Sequence, residues 1–280
     1  MPVNVRRSAL RKGVGVLLAA WVLSLAAGYA QADPIRVDLE LVLAADVSGS
    51  VDGTDFALQR AGFAAAFRSP AVISAIEAGA IGNIAVTLWD FSDSVVQAVG
   101  WTLISDAATS NAFADLVAAA PRGAAGTSDG QSNLINQALI ALNANDFAGT
   151  RSVLDIASEG AQDIDGCDYT VLDCLAVQAA RDSFLTGGGT TINAIWLNDR
   201  SFFGLDPDDL INAFDYGNLN VIGGPGAFQV FAPDFSAFGP AIEDKLIREV
   251  TPPAVPEPGS LLLLGTGLAG LSRAWRKRKQ

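Results

Sequence analysis

The run Val37-Asp38-Leu39-Glu40-Leu41-Val42-Leu43-Ala44-Ala45 is apolar but for two acids, and it ends on Asp46-Val47-Ser48-Gly49-Ser50. A short, nearly continuous apolar run of this kind reads as a strand buried on both faces. Thr54 to Phe67 behind it reads as a helix. A chain that leaves such a strand directly into a helix is bound to a layered α/β architecture, because the sheet must be covered on both sides. Asp46, Ser48 and Ser50 then fall on a strand-to-helix turn, which in an open α/β sheet faces the crevice where ligands bind. One anionic oxygen donor and two hydroxyls suit a hard divalent cation such as Mg²⁺. The same residues would also serve simply to make the turn and cap the helix.

The remaining periodicity agrees with that architecture. Strands are expected over 37–45, Ile84 to Asp90, Val95 to Ile104, Ser152 to Ala157, Thr190 to Leu197 and Ala227 to Phe231. Helices are expected over 54–67, Pro70 to Ala78, Asp106 to Ala119, Leu134 to Leu142, Leu172 to Leu185, Pro207 to Phe214 and Asp234 to Val250. Strands separated by helical runs imply right-handed crossovers, and so an α/β fold with a doubly wound, mostly parallel sheet flanked by helices. The pair within 84–104 is close enough to be a hairpin, which places one antiparallel strand at the edge.

Charge divides the chain. All 30 acidic residues lie between Asp33 and Glu257 with only nine Lys and Arg, a net charge of −21, while the ends carry the other nine cations. So acidic a body excludes nucleic acid as a partner, since that binding depends on neutralising phosphates. Residues 1–32 read as an export signal: Arg6, Arg7, Arg11 and Lys12, then the apolar core Val14 to Ala27, then Ala30-Gln31-Ala32 as a cleavage site. An uncleaved N-terminal anchor is the alternative, but the apolar core is short for a span. Mature protein is expected to begin at Asp33, and residues 33–250 to form one domain. In an exported chain the only two cysteines, Cys167 and Cys174, favour a disulfide over two free thiols.

The D-x-S-x-S of Asp46, Ser48 and Ser50 after a first buried strand resembles the metal-ion-dependent adhesion site (MIDAS) of von Willebrand factor A (VWA) domains. That resemblance implies a Thr from a second loop and an Asp from a third. Gly126-Thr127 ahead of the 134–142 helix offers Thr127. The third loop, Ser158-Glu159-Gly160, has Glu159 where the family carries Asp, and its carboxylate reaches about 1.5 Å further. Asp163 and Asp165 lie close enough to substitute. Trp89-Asp90-Phe91-Ser92 with Trp101, Ala179-Ala180-Arg181-Asp182, Thr191-Ile192-Asn193 and the block Asn220 to Phe228 resemble, more closely, a bacterial VWA-like family of uncharacterised function. Gly223-Gly224-Pro225-Gly226 within that block reads as a structural turn with unusual φ angles.

Past the domain, 251–258 is a Pro-rich linker that ends in Pro256-Glu257-Pro258. Gly259 to Leu271 is apolar, and Arg273, Arg276, Lys277, Arg278 and Lys279 follow. This order resembles the PEP-type (PEP-CTERM) C-terminal sorting signal, which implies transient anchoring in the inner membrane and processing by an exosortase in a double-membrane bacterium. An ordinary tail anchor is the alternative. The function expected is a secreted, surface-sorted domain that binds a protein or exopolysaccharide ligand through an acidic group on a bound cation, Mg²⁺ first, with Mn²⁺ or Ca²⁺ as alternatives. A matrix component with a purely structural metal, or a metal-assisted hydrolase, would share these features. An enzyme is not expected, because the chain has no histidine and no G-x-S-x-G around Ser48.

Overall fold

The computed structural model describes residues 33–123, 126–168, 170–197 and 212–251. Met1–Ile35 and Arg36–Gln280 are separate compact units, and the elements below belong to the second. Its main sheet has six strands: β1 (Leu39–Asp46), β2 (Ile84–Phe91), β3 (Val95–Ile104), β4 (Ser152–Ser158), β5 (Thr191–Leu197) and β6 (Gln229–Ala232). Their order is β3-β2-β1-β4-β5-β6, parallel except for the β2–β3 hairpin at one edge. The chain first winds outward from β1 through β2 to β3, then crosses to the other side of β1 to build β4, β5 and β6. The winding therefore reverses at β1 and β4, and the carboxyl ends of those two strands form the topological switch point.

The helices are α1 (Gly53–Arg68), α2 (Pro70–Glu77), α3 (Ala107–Ala119), α4 (Gln131–Leu142), α5 (Leu175–Thr186), α6 (Ala213–Tyr216) and α7 (Phe238–Val250). Alternation along β1 separates two cores. Leu39, Leu41, Leu43 and Ala45 face a layer that includes Phe63, Phe67, Phe113, Phe238 and Leu246, whereas Val42 and Ala44 face Leu134, Val177, Phe184 and Trp196. Edge-to-face contacts at 5.0 Å (Phe63–Phe238) and 4.7 Å (Phe67–Phe113) lock α1 to α7 and to α3.

Several boundaries differ from the periodicity for identifiable reasons. Helix α4 starts three residues earlier than its apolar pattern, because Ser132 N–H and Gln131 Nε2 find acceptors on Gln162 Oε1 and Gly160 O at 2.6 and 2.8 Å. Helix α5 starts at Leu175 rather than Leu172, with Cys174 N–H held by Asn220 Oδ1 at 2.9 Å. The last helical segment opens as a 3₁₀ turn, Phe235–Ala237, before α7. The helix expected over 207–214 lies mostly outside the described residues, as do the export signal, the motif Pro256-Glu257-Pro258 and the apolar run after it. Among the described residues no helix is long and apolar enough to cross a membrane.

Candidate metal-binding site at the switch point

Asp46 is the last residue of β1 and is wholly buried. Its Oδ1 accepts the Ser48 N–H at 2.8 Å, which bends the chain out of the strand. Its Oδ2 accepts the Ser158 hydroxyl at 3.0 Å and the Glu159 N–H at 3.4 Å, both from the end of β4. Gln59 of α1 donates to the Asp46 carbonyl at 3.2 Å. The Ser48 and Ser50 hydroxyl oxygens lie 3.3 Å apart. Asp52 caps α1 by accepting the Thr54 and Asp55 N–H groups, and Arg122 donates to the Val51 and Asp52 carbonyls at 2.6 and 3.1 Å. The turn is thus held from both sides before any ligand arrives.

The second loop meets the first at Gly49, whose N–H donates to Thr127 O at 3.3 Å. A Cβ on Gly49 would stand 3.3 Å from the Thr127 Cα and Cβ, closer than ordinary van der Waals contact, so the two loops meet tightly here. Asp93, at the tip of the β2–β3 hairpin, accepts the Thr127 and Ser128 N–H groups at 3.2 and 2.7 Å. Two residues on, the Asp129 carboxyl interacts with both Asp46 and Ser48, while its N–H donates to Asp163 Oδ1 at 2.8 Å. Burial, followed by the Asp46 charge and a hydrogen bond with it, pushes the Asp129 carboxyl well above the usual carboxylate range. Asp129 is half-buried as a residue, yet its Oδ1 is out of solvent contact and has no hydrogen-bond partner among the described residues.

Behind this cluster a buried polar network fixes the third loop. The Tyr216 hydroxyl donates to Gln131 Oε1 and accepts the Gln162 N–H, each at 3.1 Å, and burial raises that phenol above its usual value. Cys167 and Cys174 are joined in a disulfide with Cα atoms 5.2 Å apart, which closes the loop into α5. Asn220 fastens the far side, donating to the Leu172 and Tyr216 carbonyls at 2.7 and 3.0 Å. The Gly-Gly-Pro-Gly block turns through left-handed glycines, with φ of 92° at Gly224 and 73° at Gly226.

The structure therefore brings Asp46, Ser48 and Ser50 together and lays Thr127 against Gly49. Glu159 reaches the cluster through its backbone N–H. Asp129 and Ser158 are additions from the structure: an acid two residues past the expected Thr and a hydroxyl one residue before Glu159 were both visible in the sequence. What was not visible was that they turn inward. No group of three or more His, Cys, Asp or Glu suited to a metal occurs among the described residues. The oxygen set here instead mixes two carboxylates with hydroxyls. The unpartnered Asp129 oxygen beside a second carboxylate fits a hard cation, which would offset both the burial and the repulsion that push the Asp129 carboxyl up.

Fold and site together define a doubly wound α/β domain that gathers hydroxyl and carboxylate oxygens at its switch point. The chain belongs to the family described as protein of unknown function (DUF1194), whose profile matches residues 36–254. Residues 254–279 match the PEP-CTERM protein-sorting motif, which implies export and surface sorting. No curated relative matches the chain. Among solved structures, a von Willebrand factor type A protein from Catenulispora acidiphila is 12% identical, covers 77% of this chain and 42% of that one, and has a TM-score of 0.46. The pilus adhesin SpaC from Lactobacillus rhamnosus GG is 14% identical, with 79% and 31% covered and a TM-score of 0.48. Proximal thread matrix protein 1 from the mussel byssus, with a zinc-occupied MIDAS motif, is 12% identical, with 78% and 47% covered and a TM-score of 0.47. The chain spans less than half the length of each.

Proposed function

We propose that this surface-sorted domain binds a protein or exopolysaccharide through a divalent cation held at the switch point. Asp46 and Asp129 supply negative charge, Ser48, Ser50 and Thr127 supply neutral oxygens, and Glu159 closes the site from the third loop. Mg²⁺ suits this donor set best, with Mn²⁺ or Ca²⁺ as alternatives. When bound, the cation supplies an electrophilic position that an acidic group of the ligand can complete. The observation that carries the reading is the convergence of two carboxylates and two serine hydroxyls from separate loops, with one buried carboxylate oxygen left unsatisfied.

The exposure gradient supports a binding role. Asp46 and Ser48 are buried at the base, Ser50 is half-buried, and Gly49 and Thr127 are exposed at the mouth. An incoming acidic group thus meets the cluster from the loop side, and the base stays dry. The reading is non-enzymatic, as no histidine is present to act as a general base.

The test is a screen of the full chain, kept in mild detergent, against acidic glycans and surface proteins, with Mg²⁺ and with EDTA. Binding that vanishes with EDTA while the circular dichroism spectrum is unchanged supports the reading. Ligand binding indifferent to EDTA makes the cation a structural element only. Turnover of a phosphoester or glycan would move the protein to the hydrolase class.

A further inference from the structure

A cavity lies at the opposite end of the sheet from Asp46. It has a volume of about 280 Å³ and is lined by Arg151, Thr191, Asn193, Phe228, Arg248 and Glu249, among others. Arg151 directly precedes β4 and Thr191 opens β5, so the cavity sits at the amino ends of the strands. Its charge runs against that of the body around it. Of the nine Lys and Arg between Asp33 and Glu257, two (Arg151 and Arg248) line it, although that region carries a net −21.

Neither arginine has a carboxylate within ion-pair distance among the described residues, although Arg151 feels the charges of Glu249 and Asp38. Arg151 donates through Nη2 to the Glu249 and Val250 carbonyls at 2.8 and 3.3 Å and makes no ion pair among the described residues. Arg248 is exposed and lies over the Phe228 ring, 3.7 Å from its centroid, again without an acidic partner among the described residues. Stacking of this kind holds a guanidinium flat with its edge free for a planar anion.

Glu249 also lines the cavity. It is 2% exposed, yet its Oε2 has no hydrogen-bond partner among the described residues, while Oε1 accepts from Lys245 Nζ at 2.5 Å and Asn193 Nδ2 at 2.9 Å. Burial first and the Asp155 charge second push this carboxyl up to about 8, with Lys245 opposing. Thr191 donates its hydroxyl to the Pro225 carbonyl at 3.2 Å and keeps its lone pairs. Two guanidinium groups with no carboxylate in ion-pair contact, beside a threonine hydroxyl in a space of this size, describe a specific kind of ligand.

We propose that this cavity binds a sugar acid, with Arg151 and Arg248 taking the carboxylate and Thr191 taking a ring hydroxyl. The ligand is a hexuronate, free or as one residue of an acidic polysaccharide. The site is independent of the switch-point cluster, so the domain has two ligand-binding poles.

The test is calorimetric titration of the full chain in mild detergent, with EDTA present throughout to silence any cation site. Glucuronate should bind saturably and glucose should not. Arg248→Gln, at an exposed position that leaves the fold intact, should weaken glucuronate roughly tenfold to a hundredfold, as loss of a charge-assisted pair does. Arg151→Gln should act alike. A polyuronate that competes with glucuronate identifies a polysaccharide as the source, whereas failure to compete identifies the free sugar acid. No binding of glucuronate, equal binding of glucose, an unaffected Arg248→Gln variant, or equal binding of inorganic phosphate would each overturn the proposal.

Discussion

Replacing Lys245 with Met should be strongly damaging, because it removes the cation at the centre of a buried charge cluster. Lys245 is 1% exposed on α7, and its ammonium bonds Asp155 of β4 and, at 2.5 Å, Glu249. Asp155 and Glu249 are each 2% exposed, so removing the cation strands two carboxyls in the core. Breaking a buried pair on one side costs about 3–5 kcal/mol, a large part of the 5–15 kcal/mol typical of a whole domain. At roughly 2–4 °C per kcal/mol for a domain of this size, the melting temperature should fall by about 6–20 °C. The pH dependence adds a check on sign. Glu249 has its folded pKa raised from 4.5 to about 8, so the stability it contributes is complete below 4.5 and is lost as pH rises through 8. The native chain should therefore melt lower at pH 8 than at pH 5. Glu249→Gln should flatten that slope, and Lys245→Met should steepen it. Thermal unfolding followed by near-ultraviolet circular dichroism across this range is the assay. A loss under about 1 kcal/mol, or a Lys245→Met penalty that is larger at pH 5 than at pH 8, would refute the reasoning.

Three further outcomes follow from named contacts. Gly49→Val places a branched side chain where a Cβ alone would stand 3.3 Å from Thr127, so it should weaken cation affinity at least tenfold with little change in melting; calorimetry with Mn²⁺ checks it. Cys167 and Cys174 should leave no free thiol in unfolded, oxidised protein, and replacing both by Ser should cost roughly 2–3 kcal/mol at most, because the loop between them is short. Mature surface protein should begin at Asp33 and lack Arg273 to Lys279, and alanines at Pro256, Glu257 and Pro258 should block that trimming without stopping export; intact mass gives the answer, and a chain ending at Gln280 would favour a permanent anchor.

The fold was largely legible because its signals are local. Apolar runs bounded by turn residues locate β1, β2, β4 and β5 within a residue or two, since strands buried on both faces need such runs. The hairpin β2–β3 followed from spacing alone. Less legible were features decided by distant partners. The start of α4 depends on Gly160 and Gln162, and the start of α5 on Asn220, 46 residues away from Cys174 in the chain. The switch-point cluster was half legible. Asp46, Ser48 and Ser50 form a pattern within five residues, but Asp129 is recognisable only once Asp46 and Ser48 stand beside it. The cavity at the amino ends of the strands was invisible, because Arg151 and Arg248 converge only after α7 packs along the sheet.

A titration of Mn²⁺ into the full chain, followed by calorimetry and by the loss of the free-ion paramagnetic signal, tests the central claim most directly. The native chain should bind one equivalent. Asp129→Asn and Asp46→Asn, which keep side-chain shape while removing charge, should each abolish or severely weaken that binding, and Glu159→Asp should retain it. A native chain that takes up no Mn²⁺, or one whose uptake is unchanged in both Asp→Asn variants, would contradict a cation site built on these loops.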